Sequence, residues 1–284
     1  MEFWLAQTLN GLSFGALLFL LASGLSLIFG LMRIVNIAHG SYYLLGAYIA
    51  LSVVKATHSF ILALLAAAAG VAAIGFIMQR VFLARFYRQT LAQVLLTMGF
   101  SFVFADVTLL VWGGDPQRLS TPALLARSVA IGPVYFPAYR AFVIVVGAAV
   151  AFLLWLVLEK TRIGATLRAA VDDQEMARGL GIDVGPLLTG MFALGAALAG
   201  VGGVMGAPFL GAYPGADSDV LPLAFAVVII GGLGSLKGAV VGSALVGILD
   251  NFGKALFPEL SYFTLFVPMA IILAVRPTGL FGRA

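Results

Sequence analysis

The chain has 284 residues, of which 62% are apolar and 10% are charged, and its formal net charge is +4. A soluble domain is typically about 45 to 50% apolar and roughly 25% charged, so this composition excludes a water-soluble globular protein. The absence of cysteine excludes a disulfide framework, a thiolate metal site and a cysteine nucleophile. Apolar runs recur from end to end, which predicts one transmembrane domain over residues 1–284.

The N-terminal segment lacks the basic region and the small-residue cleavage site of a secretory signal. Residues 1–10 carry a single charged side chain, that of Glu2, and the apolar run then continues to residue 31. We therefore expect the first run to be a transmembrane helix that the protein retains.

Nine apolar runs follow one another along the chain, and a helix needs about 20 mostly apolar residues to cross a bilayer. Four runs have about that length, two are shorter, and three are short and interrupted or bounded by glycine. Short, glycine-interrupted segments in transporters are typical of broken or tilted helices near the substrate path. The sequence predicts an all-α, polytopic transmembrane bundle with eight or nine crossings, at residues 12–31, 42–54, 61–78, 91–111, 141–158, 187–206, 220–233, 239–249 and 262–275.

The basic residues between these runs predict the orientation, because Lys and Arg concentrate in cytoplasmic loops. If nine crossings start from an external N-terminus, eleven of the 16 basic residues fall in inner loops and five in outer loops. We expect the protein to lie in the cell's inner (plasma) membrane. Its N-terminus is expected outside and its C-terminus in the cytoplasm. The inner set comprises Arg33, Arg80, Arg85, Arg88, Lys160, Arg162, Arg168, Arg178, Lys237, Arg276 and Arg283.

Small residues recur at four-residue spacing inside the runs. The pairs are Gly11 with Gly15, Gly202 with Gly206, and Gly238 with Gly242. In lipid such residues let helices approach closely, since dispersion contacts replace the missing hydrophobic drive. They predict a compact bundle and indicate no particular chemistry.

The longest predicted inner loop, residues 159–186, contains a helix candidate at residues 164–180. Apolar residues recur there at three- and four-residue spacing, and Gly179 and Gly181 supply a stop. Such a helix either lies flat on lipid or docks into a soluble partner. Membrane-surface helices prefer a strongly basic polar face, whereas Arg168, Asp172 and Glu175 mix both signs, which favours docking.

Four stretches of the sequence carry a family resemblance. The permease subunits of branched-chain amino acid ABC transporters have a cytoplasmic loop that resembles residues 161–182, TRIGATLRAAVDDQEMARGLGI. Their N-terminal signature of the LivH type is similar to residues 10–50, NGLSFGALLFLLASGLSLIFGLMRIVNIAHGSYYLLGAYIA. The stretches GGLGSLKGAVVG at 231–242 and RPTGLFG at 276–282 fit the same family. Relatives that carry urea, amides or other small organic solutes share this pattern.

The resemblance implies partner proteins. These are a second permease subunit in a heterodimer, two cytoplasmic ATPase subunits, and an extracellular or periplasmic substrate-binding protein. ATP and magnesium belong to the ATPase, and this chain itself lacks the G-x-x-x-x-G-K-[ST] motif that places phosphates and magnesium. In the family a helix followed by a glycine contacts the ATPase, which implies a coupling loop that includes Thr161, Arg162, Gly164, Arg168, Asp172, Glu175, Ala177, Arg178, Gly179 and Gly181.

Polar residues inside spans are candidates for a substrate path, since they are costly in lipid and usually turn inward. Helical periodicity places Gln93, Thr97, Ser101 and Thr108 on one face of the fourth run. This stripe either lines a cavity or forms hydrogen bonds with a neighbouring helix. Asp106 lies on the opposite side of this run. Three roles are open for it: an ion pair with an arginine, a position at the membrane interface, or proton relay.

The turn between the first two runs holds Asn36, His39 and Gly40. A histidine in such a turn is either a structural hydrogen-bonding group or part of a gate. We include the three residues in the predicted substrate path.

The predicted function is the permease subunit of an ATP-binding-cassette importer for branched-chain, hydrophobic amino acids. ATP-driven movement of the partner would switch the bundle between two states through residues 164–181. A stand-alone secondary transporter is less favoured, because Asp106 is the only acidic residue well inside a long predicted span. No cluster of catalytic groups occurs, so we expect neither an enzyme nor a metal site, and we expect no nucleic-acid binding.

Overall fold

The computed structural model describes residues 1–32, 35–86 and 89–282. Arg33, Arg88 and Arg283, which belong to the predicted inner loops, lie outside the described residues. The described part contains eleven α-helices: α1 (Glu2–Met32), α2 (His39–Thr57), α3 (Phe60–Ile77), α4 (Thr90–Trp112), α5 (Ala138–Lys160), α6 (Arg162–Asp172), α7 (Gln174–Gly179), α8 (Val184–Leu210), α9 (Ala216–Gly231), α10 (Leu236–Leu256) and α11 (Ser261–Val275).

The helical class predicted from the apolar runs is confirmed, since each of the nine runs lies mainly within one long helix. Within the described residues, six helical stretches are long and apolar enough to cross a membrane, namely α1, α4, α5, α8, α10 and the stretch Phe60–Phe86 that α3 begins. The helices α2, α9 and α11 have 19, 16 and 15 residues. The count of eight or nine crossings stays a prediction.

One helix is long enough to cross a membrane although its apolar run is not. The sequence predicts that residues 239–249 fall below a full span, and this is wrong because α10 has 21 residues. The helix begins directly after Ser235, whose side chain accepts a hydrogen bond from the N–H of Gly238 at 3.0 Å. It then continues through Asp250, which pairs with Lys254 one turn later at 2.7 Å.

The connection between α4 and α5 contains a β-hairpin that the hydrophobic pattern did not predict. Strand β1 (Ser128–Ile131) pairs antiparallel with β2 (Val134–Pro137), and Ile131 lies opposite Val134. Gly132 lies in the two-residue turn with φ of +59°, a conformation that glycine adopts without steric cost.

Helix α1 is the central helix of the bundle and packs against α5, α8, α9 and α10. Glycine sets its closest approach to α10. A Cβ atom on Gly15 would lie 2.6 Å from the carbonyl oxygen of Ser243, and one on Gly11 would lie 2.8 Å from Cα of Ile248. The close packing predicted for this glycine pair is therefore confirmed.

Each of the other two glycine pairs has at least one glycine at a close contact, and in the Gly202–Gly206 pair a Cβ on Gly206 would overlap the hydroxyl of Tyr43. A Cβ on Gly242 would lie 2.6 Å from the carbonyl oxygen of Val227, which is a close helix contact. A Cβ on Gly202 would meet Cβ of Leu20 at 3.5 Å, an ordinary van der Waals distance. Close approach is therefore required at Gly242 and not at Gly202.

The outward faces of α3, α4, α5 and α11 are apolar. Such an extensive apolar surface would drive association in water, whereas lipid tails solvate it and the helices satisfy their own backbone groups. The protein is a multi-pass membrane protein. The exposed side chains on these faces include Ile61, Leu65, Leu91, Phe102, Leu110, Val145, Phe152, Phe263 and Ile271.

The connections between helices fall at two ends of the bundle. At the end that carries the β-hairpin, called the hairpin end, Lys55 Nζ donates a hydrogen bond to Oε1 of Gln117 at 2.8 Å. The opposite end carries α6 and α7 and is called the α6–α7 end. There the N–H of Leu280 donates to the carbonyl of Ile230 at 2.9 Å and fastens the C-terminal segment to α9.

Candidate functional site

The start of α6 is held against the end of α5. Thr161 caps α6, and its Oγ1 accepts a hydrogen bond from the N–H of Gly164 at 3.3 Å. The Arg168 guanidinium donates to the carbonyl of Leu158 and lies 3.6 Å from the carboxylate of Glu159. Thr161, Gly164 and Arg168 therefore fix the position of α6 relative to the membrane helix.

The single helix predicted for residues 164–180 is wrong, because the structure interrupts it at Asp173. This residue has an extended backbone with φ of −149° and ψ of 103°. Its Oδ1 accepts hydrogen bonds from the N–H groups of Glu175 and Met176, both at 2.9 Å. An aspartate is a strong N-cap because its side chain competes for backbone N–H groups, so Asp173 starts a second helix instead of continuing the first.

The end of α7 agrees with the predicted glycine stop. The helix ends at Gly179, and Gly181 has φ of +83°. The N–H of Ile182 then donates to the carbonyl of Ala177 at 3.0 Å, as in the glycine-dependent closure of many helix C-termini. Only a few residues separate this closure from α8, so α7 is connected to a second membrane helix.

Helices α6 and α7 expose apolar side chains at the α6–α7 end. Ile163, Met176 and Leu180 are 60%, 62% and 74% exposed, which is characteristic of a surface that another molecule covers. Among the predicted coupling residues, Gly164 and Ala177 are buried and Thr161 and Arg168 are half-buried. The exposed members are Arg162, Asp172, Glu175, Arg178, Gly179 and Gly181.

A second group of polar residues lies at the centre of the bundle. Ser101 is the central residue of the 23-residue helix α4, and its Oγ lies 3.1 Å from Oγ of Ser41. The Ser41 hydroxyl donates to Oδ2 of Asp217 at 3.1 Å. Ser41 and Asp217 lie in the first turns of α2 and α9, so both helices begin at mid-depth. We call Asn36, His39, Ser41, Ser101 and Asp217 the mid-depth cluster.

The cluster contains buried polar atoms with unused hydrogen-bonding capacity. His39 Nε2 donates to the carbonyl of Leu21 at 2.9 Å, which leaves Nδ1 as the acceptor of a neutral imidazole. Neither Nδ1 nor the two side-chain polar atoms of Asn36 has a hydrogen-bond partner within residues 1–32, 35–86 and 89–282. The Tyr42 hydroxyl lies near the Asn36 amide but donates to Sδ of Met78 at 2.9 Å. Because buried polar atoms normally have partners, these atoms are candidates for contact with a ligand.

The predicted stripe on α4 faces α2. Thr97 Oγ1 accepts a hydrogen bond from the N–H of Ile37 at 3.2 Å, and Gln93 and Thr108 are buried. The two alternatives for this stripe were a cavity lining and hydrogen bonds to a neighbouring helix. Thr97 forms a hydrogen bond to the segment that leads into α2. Asp106 is exposed on the other side of α4, and the structure does not bring it to the stripe.

Sequence reasoning missed Ser41 and Asp217. The predicted span begins at residue 220 and leaves Asp217 in a loop, whereas α9 begins at Ala216 and Asp217 is only 6% exposed. Asp217 is therefore a buried acidic residue of the bundle that lies outside the predicted spans, whereas Asp106 on α4 is exposed. A signal was present, since Asp217 and Asp219 follow Gly215, and acidic residues favour the first turn of a helix.

An apolar cavity lies between α1 and α9. Its volume is about 270 Å³, and its lining includes Leu25 and Phe29 of α1, Phe225 and Val228 of α9, and Val35. Val35 directly precedes Asn36 in the chain, so the cavity adjoins the mid-depth cluster. We call it the α1–α9 cavity.

Nearly the whole chain matches one protein family. The family described as "Branched-chain amino acid transport system / permease component" matches residues 7–275. The chain belongs to this family. This match confirms the resemblance to branched-chain amino acid permeases that the N-terminal, loop and C-terminal stretches indicated.

Permeases from distant organisms align with almost the full chain. The "High-affinity branched-chain amino acid transport system permease protein BraD" of Pseudomonas aeruginosa is 30% identical, over 99% of this chain and 96% of its own length. The corresponding protein LivH of Escherichia coli is 28% identical with the same coverage. The "Probable branched-chain amino acid transport permease protein LivH" of Methanocaldococcus jannaschii is 26% identical, over 94% of this chain and 89% of its own.

A solved structure has the same fold as this permease. It is "PsaBC from Streptococcus pneumoniae in complex with Fab", with a TM-score of 0.50 and 15% sequence identity. The similarity covers 94% of this chain and 89% of that chain. Within the described residues of the permease, no group of three His, Asp or Glu side chains is placed to hold a metal ion.

Proposed function

We propose that this chain is the membrane-spanning subunit of an ATP-binding-cassette importer that moves branched-chain amino acids inward. The family match over residues 7–275 and the names of its relatives support this cargo and this transport system. The observation that carries the proposal is the exposed apolar surface on α6 and α7, at one end of an otherwise lipid-facing bundle. A motor protein that docks there would cover it.

The α6–α7 connection is suited to transmit movement to the membrane helices. At its start, the Thr161 cap and the Arg168 contact to Leu158 couple α6 to α5. At its end, the closure at Gly181 leads into α8, whose first turn is capped by Asp183. A displacement of α7 would therefore act on two membrane helices, one on each side of the connection.

The proposed assembly contains a second permease subunit in a heterodimer and two ATPases that bind ATP and magnesium. The ATPases work in the cytoplasm, so the α6–α7 end and the C-terminus face the cytoplasm, and the N-terminus and the hairpin end face outward. The hairpin end would receive cargo from an extracellular or periplasmic binding protein. This orientation is the one that the distribution of Lys and Arg favours.

The substrate path is proposed to pass the mid-depth cluster and the α1–α9 cavity. The cluster lies where α2 and α9 begin inside the bundle instead of at its surface, and the cavity runs along α1 and the second half of α9 from Phe225 onward. Interrupted helices are tolerated at membrane depth where protein or a water-filled cavity satisfies their backbone groups, and in transporters they mark binding sites.

Reconstitution tests the proposed function directly. The chain is placed in proteoliposomes with its candidate partner permease, ATPases and binding protein, and leucine uptake is measured with and without ATP. We expect uptake that requires ATP and all subunits. Uptake by the isolated chain along an ion gradient would contradict the importer and support the stand-alone transporter.

A charge reversal tests the docking surface. Replacing Glu175 with Lys together with Arg178 with Glu should reduce co-purification of the ATPase while membrane insertion is retained. The matched control reverses Asp115 and Arg118, which have the same spacing and are exposed at the hairpin end. Equal ATPase recovery from both double variants would show that docking does not depend on this part of α7.

A further inference from the structure

We propose that the mid-depth cluster and the α1–α9 cavity form one binding site for a zwitterionic amino acid with an aliphatic side chain. The cluster takes the ammonium and carboxylate groups, and the cavity takes the side chain. This inference rests on the proposed function of amino-acid import and assigns the place inside this chain where the cargo is held.

The ammonium group is matched by acceptors. Asp217 is buried, and its Oδ2 accepts a hydrogen bond from the Ser41 hydroxyl. In the described part of the chain no Lys or Arg forms an ion pair with this carboxylate. A buried carboxylate is costly unless a cation or hydrogen bonds compensate its charge. His39 adds the unpartnered acceptor Nδ1, so this side of the site favours a cationic hydrogen-bond donor.

The carboxylate group is matched by donors at the start of α2. The N-cap residue Ala38 provides no side-chain hydrogen bond. The N–H of His39 donates to the carbonyl of Asn36 at 3.3 Å, so the N–H groups of Gly40 and Ser41 carry the remaining donor capacity of the first turn, at the positive end of the helix dipole. The amide of Asn36 adds an unpartnered Nδ2 that is fully buried. In transporters with interrupted helices, such N-termini point at the anionic groups of substrates.

Gly40 brings the two halves of the site together. A Cβ atom at this position would lie 2.6 Å from the carbonyl oxygen of Asp217, so only glycine lets the starts of α2 and α9 approach so closely. The donors of α2 and the carboxylate of α9 therefore lie within the reach of one small zwitterion.

The side chain is matched by the α1–α9 cavity. Its lining is apolar and includes Val35, the residue that precedes Asn36 in the chain. Binding sites for small molecules are mostly apolar with a few polar groups that fix orientation. An amino acid with an aliphatic side chain would occupy both the mid-depth cluster and the α1–α9 cavity. Urea or a simple amide would occupy the cluster and leave the cavity empty.

Binding of radiolabelled leucine tests the assignment. The complete complex of both permeases and the ATPases is used without the binding protein, so that only the membrane site is measured. Asp217→Asn and Asn36→Leu should each weaken leucine binding by about tenfold, the effect of losing one hydrogen bond to a charged group. The control is Asp219→Asn, which alters an exposed carboxylate in the same helical turn that pairs with Tyr213 and should bind leucine as the wild type does.

Competition with truncated ligands tests which groups are recognised. Isoamylamine lacks the carboxylate and 4-methylpentanoate lacks the ammonium group, so each should compete with leucine at least about tenfold more weakly than unlabelled leucine does. Competition by 4-methylpentanoate as strong as that by leucine would overturn the role of Asp217 and His39. Competition by isoamylamine as strong as that by leucine would overturn the role of Asn36 and the start of α2.

A cysteine reporter tests the cavity without altering the polar cluster. The chain has no cysteine, so Val35→Cys gives this subunit a single cysteine whose reaction with N-ethylmaleimide can be followed. Leucine should slow its labelling by about fivefold or more, and should not affect Leu65→Cys, which is exposed on α3. Equal labelling of Val35→Cys with and without bound leucine would overturn the site.

The two proposals fail in different ways. If the wild-type complex shows no ATP-dependent leucine uptake, the proposed function is wrong. If it takes up and binds leucine while Asp217→Asn, Asn36→Leu and labelling of Val35→Cys show no effect, the importer stands and the cluster holds only structural water.

Discussion

The hydroxyl of Ser41 donates a hydrogen bond to the carboxylate of Asp217 and joins the first turns of α2 and α9. These residues are 176 positions apart in the chain, and their contact lies level with the centre of α4 through Ser101. This hydrogen bond therefore holds the first turns of α2 and α9 together. The contact contributes to the stability of the fold and is also part of the proposed substrate path.

Replacing Ser41 with Ala should destabilise the protein by about 1 to 3 kcal/mol, because the buried Asp217 carboxylate loses a hydrogen-bond donor. The measurement is thermal unfolding of the detergent-solubilised chain. Thr57→Ala serves as the control, since Thr57 is exposed and its hydroxyl makes only local hydrogen bonds, donating to the carbonyl of Val53 and accepting from the N–H of Ser59. Equal melting temperatures for the two variants would contradict a stabilising role for the Ser41–Asp217 bond.

Replacing Gly15 with Ala should separate α1 from α10. The new Cβ would lie 2.6 Å from a backbone oxygen of α10, and overpacking of this kind typically costs about 1 to 3 kcal/mol. The matched control is Gly99→Ala on α4, where a Cβ meets nothing within 4 Å. That control should be neutral or slightly stabilising, by up to about 1 kcal/mol, since alanine is the better helix former. The prediction fails if both variants unfold at the same temperature.

Replacing Asp173 with Ala should loosen α7, because the N–H groups of Glu175 and Met176 lose their shared acceptor. Loss of an N-cap costs about 1 kcal/mol, so amide hydrogen exchange in α7 should accelerate by about fivefold. Asp173→Ser retains a capping oxygen and should restore slow exchange. Unchanged exchange in the alanine variant would show that contacts with the bundle, not the cap, hold α7.

Replacing Met176 with Glu should reduce ATPase binding in the proposed complex. Met176 is 62% exposed, so the change leaves the fold of the free chain intact and places a charge in an apolar contact surface. Met176→Leu keeps the apolar character and should retain the ATPase. Co-purification is the measurement, and equal recovery from the two variants would exclude Met176 from the docking surface.

The proposed orientation predicts which introduced cysteines are reachable from outside the cell. Leu124 at the hairpin end is 84% exposed and Leu180 at the α6–α7 end is 74% exposed. A membrane-impermeant maleimide should label Leu124→Cys on intact cells and Leu180→Cys only after permeabilisation. The cysteine-free background provides the negative control. The reverse pattern would invert the orientation.

Much of the fold was predictable because it depends on local composition. Apolar runs long enough for a bilayer specified the membrane helices, and the sequence between residues 161 and 182 indicated the family and a helical connection before any contact was known. The interruption at Asp173 was not predictable from periodicity, because an aspartate that follows Asp172 fits either an exposed helix face or an N-cap. The structure shows the N-cap, because Asp173 Oδ1 accepts hydrogen bonds from the N–H groups of Glu175 and Met176.

The sequence by itself determined that the protein lies in a membrane, where its long helices run and to which family it belongs. Each of these follows from hydrophobicity and residue order over short stretches. Only the tertiary structure decided that Ser41 meets Asp217, that Asn36 and His39 are buried without a full set of partners, and that Asp106 points away from them. Hydropathy averages the polar residues of a segment away, whereas the position of each side chain depends on how the helices start, cross and rotate against one another.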